Sequence, residues 1–309
     1  MRIGMITYDF DPPIGGLGVH VQRLVSTLER ITQGDDFLVF SPSRDSRMRV
    51  ALLAQRLWRK RGGSPVFSLS LFLRLPWYIR RHKLDLVHVQ SGSGGVLLVR
   101  RLSVPLIVTS HHTYLDEAEV YRTHKLTYFR KWLFSILEER TYRIADKVIC
   151  VSKDTRQTII DRYHIPADRV VTIENSIALD QYEGEDWTKK PATILFVGRL
   201  EPRKGLPVLL QAFAQVRKKH PHAKLRIIGE NMLGSTLQRM SHEQEIHAHT
   251  EFLGHISDDE YVRELRSATM LVVPSIIEGF GLVAAEAMAA GTAVVASDCP
   301  GLRSVITHE

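Results

Sequence analysis

Two glutamates stand eight residues apart in a stretch that is otherwise apolar, small or glycine, "PSIIEGFGLVAAEAMAAGTAVVAS", Pro274 to Ser297. A carboxylate is costly in such surroundings unless it is hydrogen-bonded or meets a polar ligand. Gly279 and Gly281 follow Glu278 and permit close backbone approach where a helical segment starts. A helix beginning near Gly281 places Glu278 in the loop before it and Glu286 roughly one helical pitch deeper. A carboxylate accepts hydrogen bonds through two oxygens, so each of the two suits a pair of adjacent hydroxyls. The helix N-terminus between them offers free N–H groups and a positive dipole end to a phosphate. The chemistry served would be the holding of two hydroxylated rings joined through phosphate. Local pairing of Glu286 on its own helix is equally compatible with the spacing.

Positive charge comes from a second segment. "TILFVGRLEPRKGL" places Arg199 directly after an apolar run and Lys204 five residues later, between Gly198 and Gly205. Arg offers a planar fork to phosphate oxygens and Lys a compact charge, so the pair could stabilise a departing diphosphate without a metal. Near the start of the chain, "DFDPPIGGLGVHVQ" leads through Gly15 and Gly16 into another helical pattern. This is not G-x-G-x-x-G, so the dinucleotide fingerprint is missing. "VPLIVTSHHTYL" ends an apolar run with His111 and His112.

The elements that must position these residues are short apolar runs alternating with helical patterns. "RIGMITY", "DFLVFS", "LDLVHVQ", "PLIVTS" and "KVICVS" form one series; "ATILFVG", "KLRIIG", "EFLG", "TMLVVPS" and "TAVVAS" form another. Continuously apolar strands separated by helices predict parallel sheets with both faces covered. The series restarts after the polar stretch "DQYEGEDWTKKP". The expectation is two tandem doubly wound, Rossmann-like α/β domains, residues 1–185 and 186–309, facing a central cleft. In such sheets ligands bind outside the strands' carboxyl ends.

Composition adds limits. The start of the chain lacks a signal-peptide pattern, and "PVFSLSLFLRLPWYI" is interrupted by Arg74 and Pro76, too short to span a bilayer. Cys150 and Cys299 have no metal-ligand spacing and fit a reducing compartment. The expected location is therefore cytoplasmic. The net charge of +7 lies wholly in residues 1–185. Arg44 to Lys83 holds eleven basic residues and one acid, interleaved with Leu52, Leu53, Leu57, Trp58, Phe67, Leu71, Phe72, Leu75, Trp77 and Tyr78. One reading is a solvated surface over a core. The other is attachment to an anionic membrane surface, the inner face of the membrane in the cytoplasm. No nucleic acid is expected.

"GGLGVHVQRL", "GRLEPRKGL" and "PSIIEGFGLVAAEAMAAGTAVVASD" together resemble the signature segments of the retaining glycosyltransferases of family 4, over the whole chain. The resemblance implies a B-type fold of two Rossmann-like domains. The first would lie on the acceptor side and the second would bind the nucleotide sugar. It further implies hexosyl transfer from a nucleotide diphosphate sugar, serving as co-substrate, to a carbohydrate, lipid-linked or other small acceptor. No cofactor and no metal are implied.

Residue by residue, the resemblance puts the donor phosphates on the backbone of Gly15, Gly16, Gly281, Leu282 and Val283 and on Arg199 and Lys204. Glu278 would contact the transferred sugar as a catalytic residue, Phe280 would face the sugar, and Glu286 would bind the ribose. Gly254, His255 and Ile256 would line the base. The pattern P-x5-H selects His111 as the second catalytic residue, with His112 as the alternative.

The sequence also departs from the family. Asn175-Ser176-Ile177 replaces Asn-Gly-Val, Gly229-Glu230-Asn231 replaces Gly-x-Gly, and Ser304 replaces a glutamate. The pattern would continue past "VITHE" with a further strand and helices, so the second domain is read as incomplete. Asp9-Phe10-Asp11 has the D-x-D spacing of metal-dependent glycosyltransferases but lies before Pro-Pro, and no metal is assigned to it. The competing readings are a glycoside hydrolase with two carboxylates, an epimerase or phosphorylase of the same fold, and a non-catalytic nucleotide-sugar scaffold.

Overall fold

The computed structural model describes residues 1–10, 16–32, 34–41, 64–91, 98, 100–182 and 188–307. The chain forms two compact units, Met1–Asn175 and Ser176–Glu309. The second unit begins earlier than the polar stretch suggested. Tyr182, on the turn Leu179–Tyr182, is already buried in its core with Leu195, Leu265 and Ala287.

The first unit is a six-stranded parallel sheet. Its strands are β1 (Arg2–Ile6), β2 (Asp36–Phe40), β3 (Leu86–Ser91), β4 (Leu106–Ser110), β5 (Lys147–Cys150) and β6 (Val170–Thr172), in the spatial order β2-β1-β3-β4-β5-β6. Five of these are the apolar runs of the sequence. The sixth is a short edge strand that burial alone did not mark. Helix α1 (Gly16–Ile31) covers one face, burying Val21 and Val25 against Met5. Helices α2 (Ser64–His82), α3 (Tyr114–Val120), α4 (Lys125–Ile144) and α5 (Lys153–Asp161) are the others of this unit. Leu71, Leu75 and Tyr78 of α2, Tyr142 of α4 and Ile159 of α5 share the larger core cluster with Val87, Val89, Val108 and Val148. Three of the apolar residues interleaved in the basic segment, Leu71, Leu75 and Tyr78, are thus core. They sit on the helix face turned to the sheet. Residues 42–63, which carry most of that basic segment, lie outside the described residues.

The second unit has strands β7 (Thr193–Val197), β8 (Lys224–Ile228), β9 (Thr250–Gly254), β10 (Met270–Val273) and β11 (Ala293–Ala296), all parallel, ordered β11-β10-β7-β8-β9. Its helices are α6 (Leu206–Lys219), α7 (Thr236–Glu243), α8 (Asp258–Ser267) and α9 (Leu282–Ala289). Their starts follow local chemistry. Ser257 and Glu260 form a reciprocal capping box on α8, and Pro207 occupies the first turn of α6, where its missing N–H costs nothing. The strand order reverses between β7 and β10. The loops after those two strands therefore flank the crevice where an open parallel sheet takes its ligands.

Candidate active site

Those two loops carry Arg199 to Lys204 and Pro274 to Gly281. They are keyed together at Gly205, which has φ +69° and faces the Pro274 carbonyl so closely that a Cβ would lie 1.9 Å from its oxygen. Only glycine satisfies both the left-handed backbone and the contact. The register delivers Lys204 to Glu278: Lys204 Nζ lies 2.5 Å from Glu278 Oε1, and Ser275 Oγ donates to the same oxygen at 2.7 Å. Arg203, also buried, has one guanidinium nitrogen 3.9 Å from Glu278 Oε2 and another 2.7 Å from Glu201 Oε1. Arg199 reaches Glu201 at 3.5 Å and stays more exposed.

Burial by itself would raise the Glu278 carboxyl. The charges of Lys204 and Arg203 outweigh it and hold Glu278 at about 2. Burial pulls Lys204 below the ordinary lysine value, with Glu278 opposing it. Three cations and two carboxylates leave this cluster one positive charge in excess, at the mouth of a parallel sheet.

Helix α9 begins directly after Gly281, which has φ +90° and admits Leu302 where a Cβ would stand. Leu282 and Val283 form its first turn, and Phe280 is buried just ahead of it. Glu286 falls on the second turn, as the spacing required. It is held from outside its own helix: Tyr261 on α8 donates its hydroxyl to Glu286 Oε2 at 2.5 Å. Gly254 ends β9 with φ +68°, His255 is exposed, and Ile256 packs on the core below. Asn231, standing where a second glycine was expected, closes its own turn by bonding to Leu233 N–H and the Gly234 carbonyl.

In the first unit the sequence-selected histidine lies in a buried polar chain. His111 Nε2 is 2.9 Å from Gln90 Oε1, Gln90 Nε2 is 3.3 Å from His88 Nε2, and His88 Nε2 is 2.7 Å from Thr109 Oγ1. His20 of α1 packs edge-on against His111, ring centres 4.9 Å apart. Burial depresses all three imidazoles: His20 and His88 to about 4, His111 well below its ordinary value, with Arg23 adding to the effect on His20 and neighbouring histidines to that on His88 and His111. They are neutral at physiological pH. The next residue, His112, is half-buried. Gly16 opens α1, and Gly15 lies outside the described residues. Asp9 accepts from Gly18 N–H at 3.1 Å, which gives the first carboxylate of Asp9-Phe10-Asp11 a place at the α1 N-terminus. Among the described residues no group of three His, Cys, Asp or Glu is arranged to hold a metal.

The family model "Glycosyltransferase Family 4" matches residues 14–181, and "Glycosyl transferases group 1" matches residues 180–309. The chain belongs to glycosyltransferase family 4. An uncharacterized glycosyltransferase of Methanocaldococcus jannaschii is 28% identical over all of this chain and 83% of its own length. The phosphatidyl-myo-inositol mannosyltransferase of Mycobacterium tuberculosis is 29% identical, covering 99% of this chain and 80% of that protein. Among solved structures, sucrose-phosphate synthase from Thermosynechococcus elongatus superposes with a TM-score of 0.76 at 21% identity, over 98% of this chain and 82% of that one. This last likeness establishes the shared fold of two Rossmann-like domains.

Several residues around this glycosyltransferase's candidate site escaped the sequence reading. Arg203 sits between Arg199 and Lys204 in "GRLEPRKGL" and passes for a surface charge, yet it is more buried than Arg199. Tyr261 is 25 residues from Glu286, and no spacing rule links them. His88 and Gln90 did leave a signal: two polar side chains at alternate positions of "LVHVQS", inside a run otherwise suited to a buried strand.

Proposed function

We propose that this family 4 glycosyltransferase transfers a hexosyl unit from a nucleoside diphosphate sugar to an acceptor hydroxyl, with retention at the anomeric carbon and without a metal ion. The observation that supports it most is the buried Lys204–Glu278–Arg203 cluster at the strand-order reversal, on the loop that leads into the helix bearing the Tyr261-bonded Glu286. Arg199, Arg203, Lys204 and the N–H groups of Leu282 and Val283 would take the diphosphate. Preorganised donors of this kind stabilise the charge that grows on the leaving group, which is the dominant electrostatic contribution in such reactions.

In this reading Glu278 faces the transferred sugar beside Phe280, Glu286 grips the ribose, and Gly254 to Ile256 border the base. The departing phosphate oxygen accepts the acceptor's proton on the face it leaves. Neutral His111 positions a sugar hydroxyl as a hydrogen-bond partner and carries no charge. The acceptor belongs to the first unit. A structure from Anabaena that shares the fold contains UDP-glucose, and the mycobacterial relative is named for a phosphatidyl-inositol acceptor. These make a uridine diphosphate sugar and a lipid-linked or anionic acceptor the first compounds to test.

The deciding experiment is titration calorimetry with nucleoside diphosphates and their sugars, followed by NMR of the product's anomeric proton. Binding of a nucleoside diphosphate, and a product with the donor's anomeric configuration, are expected. An inverted product, or no affinity for any nucleoside diphosphate, would overturn the proposal.

A further inference from the structure

The outer face of α4 has an unusual composition. Its exposed residues are Lys125, Leu126, Phe129, Arg130, Trp132, Leu133, Ile136, Arg140 and Arg143. Every one is apolar or basic. Leu126, Phe129, Leu133, Ile136 and Arg140 recur at three- and four-residue intervals and so form one continuous stripe. Leu126 is 84% exposed and Phe129 57%, values foreign to an ordinary solvated helix. Of the helix's two acids, Glu138 is buried and Glu139 is half-buried and paired with Arg143. Lys131 is drawn to the side by Glu117, at 2.8 Å.

The same composition recurs on α2. Its exposed side chains among those described are Leu69, Leu73, Arg74, Trp77, Arg80 and Arg81. Leu69, Leu73 and Trp77 repeat every four residues, one above another. Leu71, Leu75 and Tyr78 of α2 and Tyr142 of α4 enter one core cluster, whereas α1 packs in a separate one. Two helices of one layer thus carry large apolar side chains on their outer faces, fringed by cations.

We infer that the outer face of α4, with that of α2, seats the protein on an anionic lipid surface. Charge decides among occupants. A second copy meeting face to face would bring like cations together, since a two-fold contact uses the same patch twice. An anionic bilayer accepts both parts: the apolar stripe enters the acyl boundary, and Lys and Arg remain at the phosphates. Trp132 and Trp77 are amphipathic rings of the type that settles at headgroup depth. No described helix is long and apolar enough to cross a membrane, so the association is peripheral. This inference goes beyond the donor-site reading and does not depend on it.

The test is co-sedimentation of the full chain with vesicles of phosphatidylcholine alone or with 30% phosphatidylglycerol (roughly the anionic share that makes each nearby cation count). The triple variant Leu126→Ser, Phe129→Ser, Leu133→Ser and the double variant Arg130→Glu, Arg140→Glu alter only exposed positions, so circular dichroism should match the parent. Expected are partitioning to anionic vesicles alone, weakening with salt, and at least about a tenfold fall in partitioning for either variant. Tryptophan emission should shift to the blue on binding. Failure of the parent to bind anionic vesicles at low salt would overturn the inference. So would parental binding by both variants, or a concentration-dependent dimer that the same substitutions abolish. Donor binding measured on the same variants should be unchanged, which separates this outcome from failure of the glycosyl-transfer reading.

Discussion

Lys204 and Glu278 lie 74 residues apart in sequence and 2.5 Å apart in space. The cation expected to meet a diphosphate and the carboxylate expected to meet a sugar hold each other directly. The pair is partly a positioning device. Glu278 fixes where the ammonium stands, and Lys204 keeps the carboxylate ionised in a site that would otherwise neutralise it.

Removing Lys204 should therefore cost more than a phosphate contact. Lys204→Ala leaves a buried carboxylate short of its main partner, and breaking such pairs destabilises by about 3–5 kcal/mol. With Glu278 held at about 2, the carboxylate's contribution to stability is present above its ordinary value and is lost as pH falls through about 2. In Lys204→Met, burial should lift the Glu278 carboxyl back upward. The variant should then lose less stability than the parent as pH falls through the carboxylate range, or gain some. Urea melts from pH 3 to 7 report this directly, and identical acid profiles would contradict the pairing.

Tyr261→Phe removes the hydroxyl that donates to Glu286 and keeps the ring. A hydrogen bond to a charged group contributes roughly 1.5–3 kcal/mol, so the affinity for a ribose-bearing nucleotide should drop by about tenfold or more. Inorganic pyrophosphate, which has no ribose, should bind as before. Arg203→Ala should weaken both ligands. Calorimetry on the two variants with the two ligands gives four numbers, and equal losses for pyrophosphate in both variants would refute the division of labour.

Gln90 sets the tautomer of His111. Its amide oxygen accepts from Nε2–H, while its amide N–H donates to His88 Nε2, which then also accepts from the Thr109 hydroxyl. His111 Nδ1 is then the ring's acceptor, suited to a sugar hydroxyl. Gln90→Leu should release the tautomer, visible as a change in the His111 imidazole 15N shifts, and lower kcat more than it raises KM. Gln90→Glu places a carboxylate against the ring and should raise its pKa, adding an acid limb to the rate profile. Unaltered 15N shifts in both variants would remove Gln90 from this role.

Glu138, on the buried side of α4, is pushed up to about 8 by burial, against hydrogen bonds from Tyr163 O–H and Tyr114 N–H. An unfolded glutamate ionises near 4.5 while the folded one stays protonated, so the folded state binds the extra proton. This group's contribution to stability accordingly falls as pH rises from about 4.5 to about 8, at up to roughly 1.4 kcal/mol per unit. His20 and His88 act oppositely below their ordinary value, so the parent's profile alone is ambiguous. The difference between Glu138→Gln and the parent isolates the glutamate: it should grow in favour of the variant from pH 5 to 8. A flat difference would disprove the protonated carboxyl.

Much of this was legible in the chain, for a physical reason. Strands buried on both faces read as apolar runs, so ten of the eleven described strands announced themselves, and the switch-point loops followed from their order. The strand missed, Val170–Thr172, is a three-residue edge whose middle residue is exposed. Arg199, Lys204 and Glu278 were visible because they are charged residues in the loops that follow two buried strands, and Glu286 because it is a lone charge on the apolar helix that follows. Arg203 and Tyr261 were hidden because their burial depends on how loops and helices far apart in sequence pack. The same limit explains Leu71, Leu75 and Tyr78: within a basic helix, composition does not say which side faces the sheet.

The contact of Gly205 with the Pro274 carbonyl has a bearing on redesign. Because one loop is seated on the backbone of the other, neither can be lengthened, shortened or exchanged for a relative's version by itself. A graft intended to change donor preference must carry both segments, 198–205 and 274–281, from the same parent. The two behave as a single inheritable cassette, although nearly seventy residues of unrelated scaffold separate them in the gene.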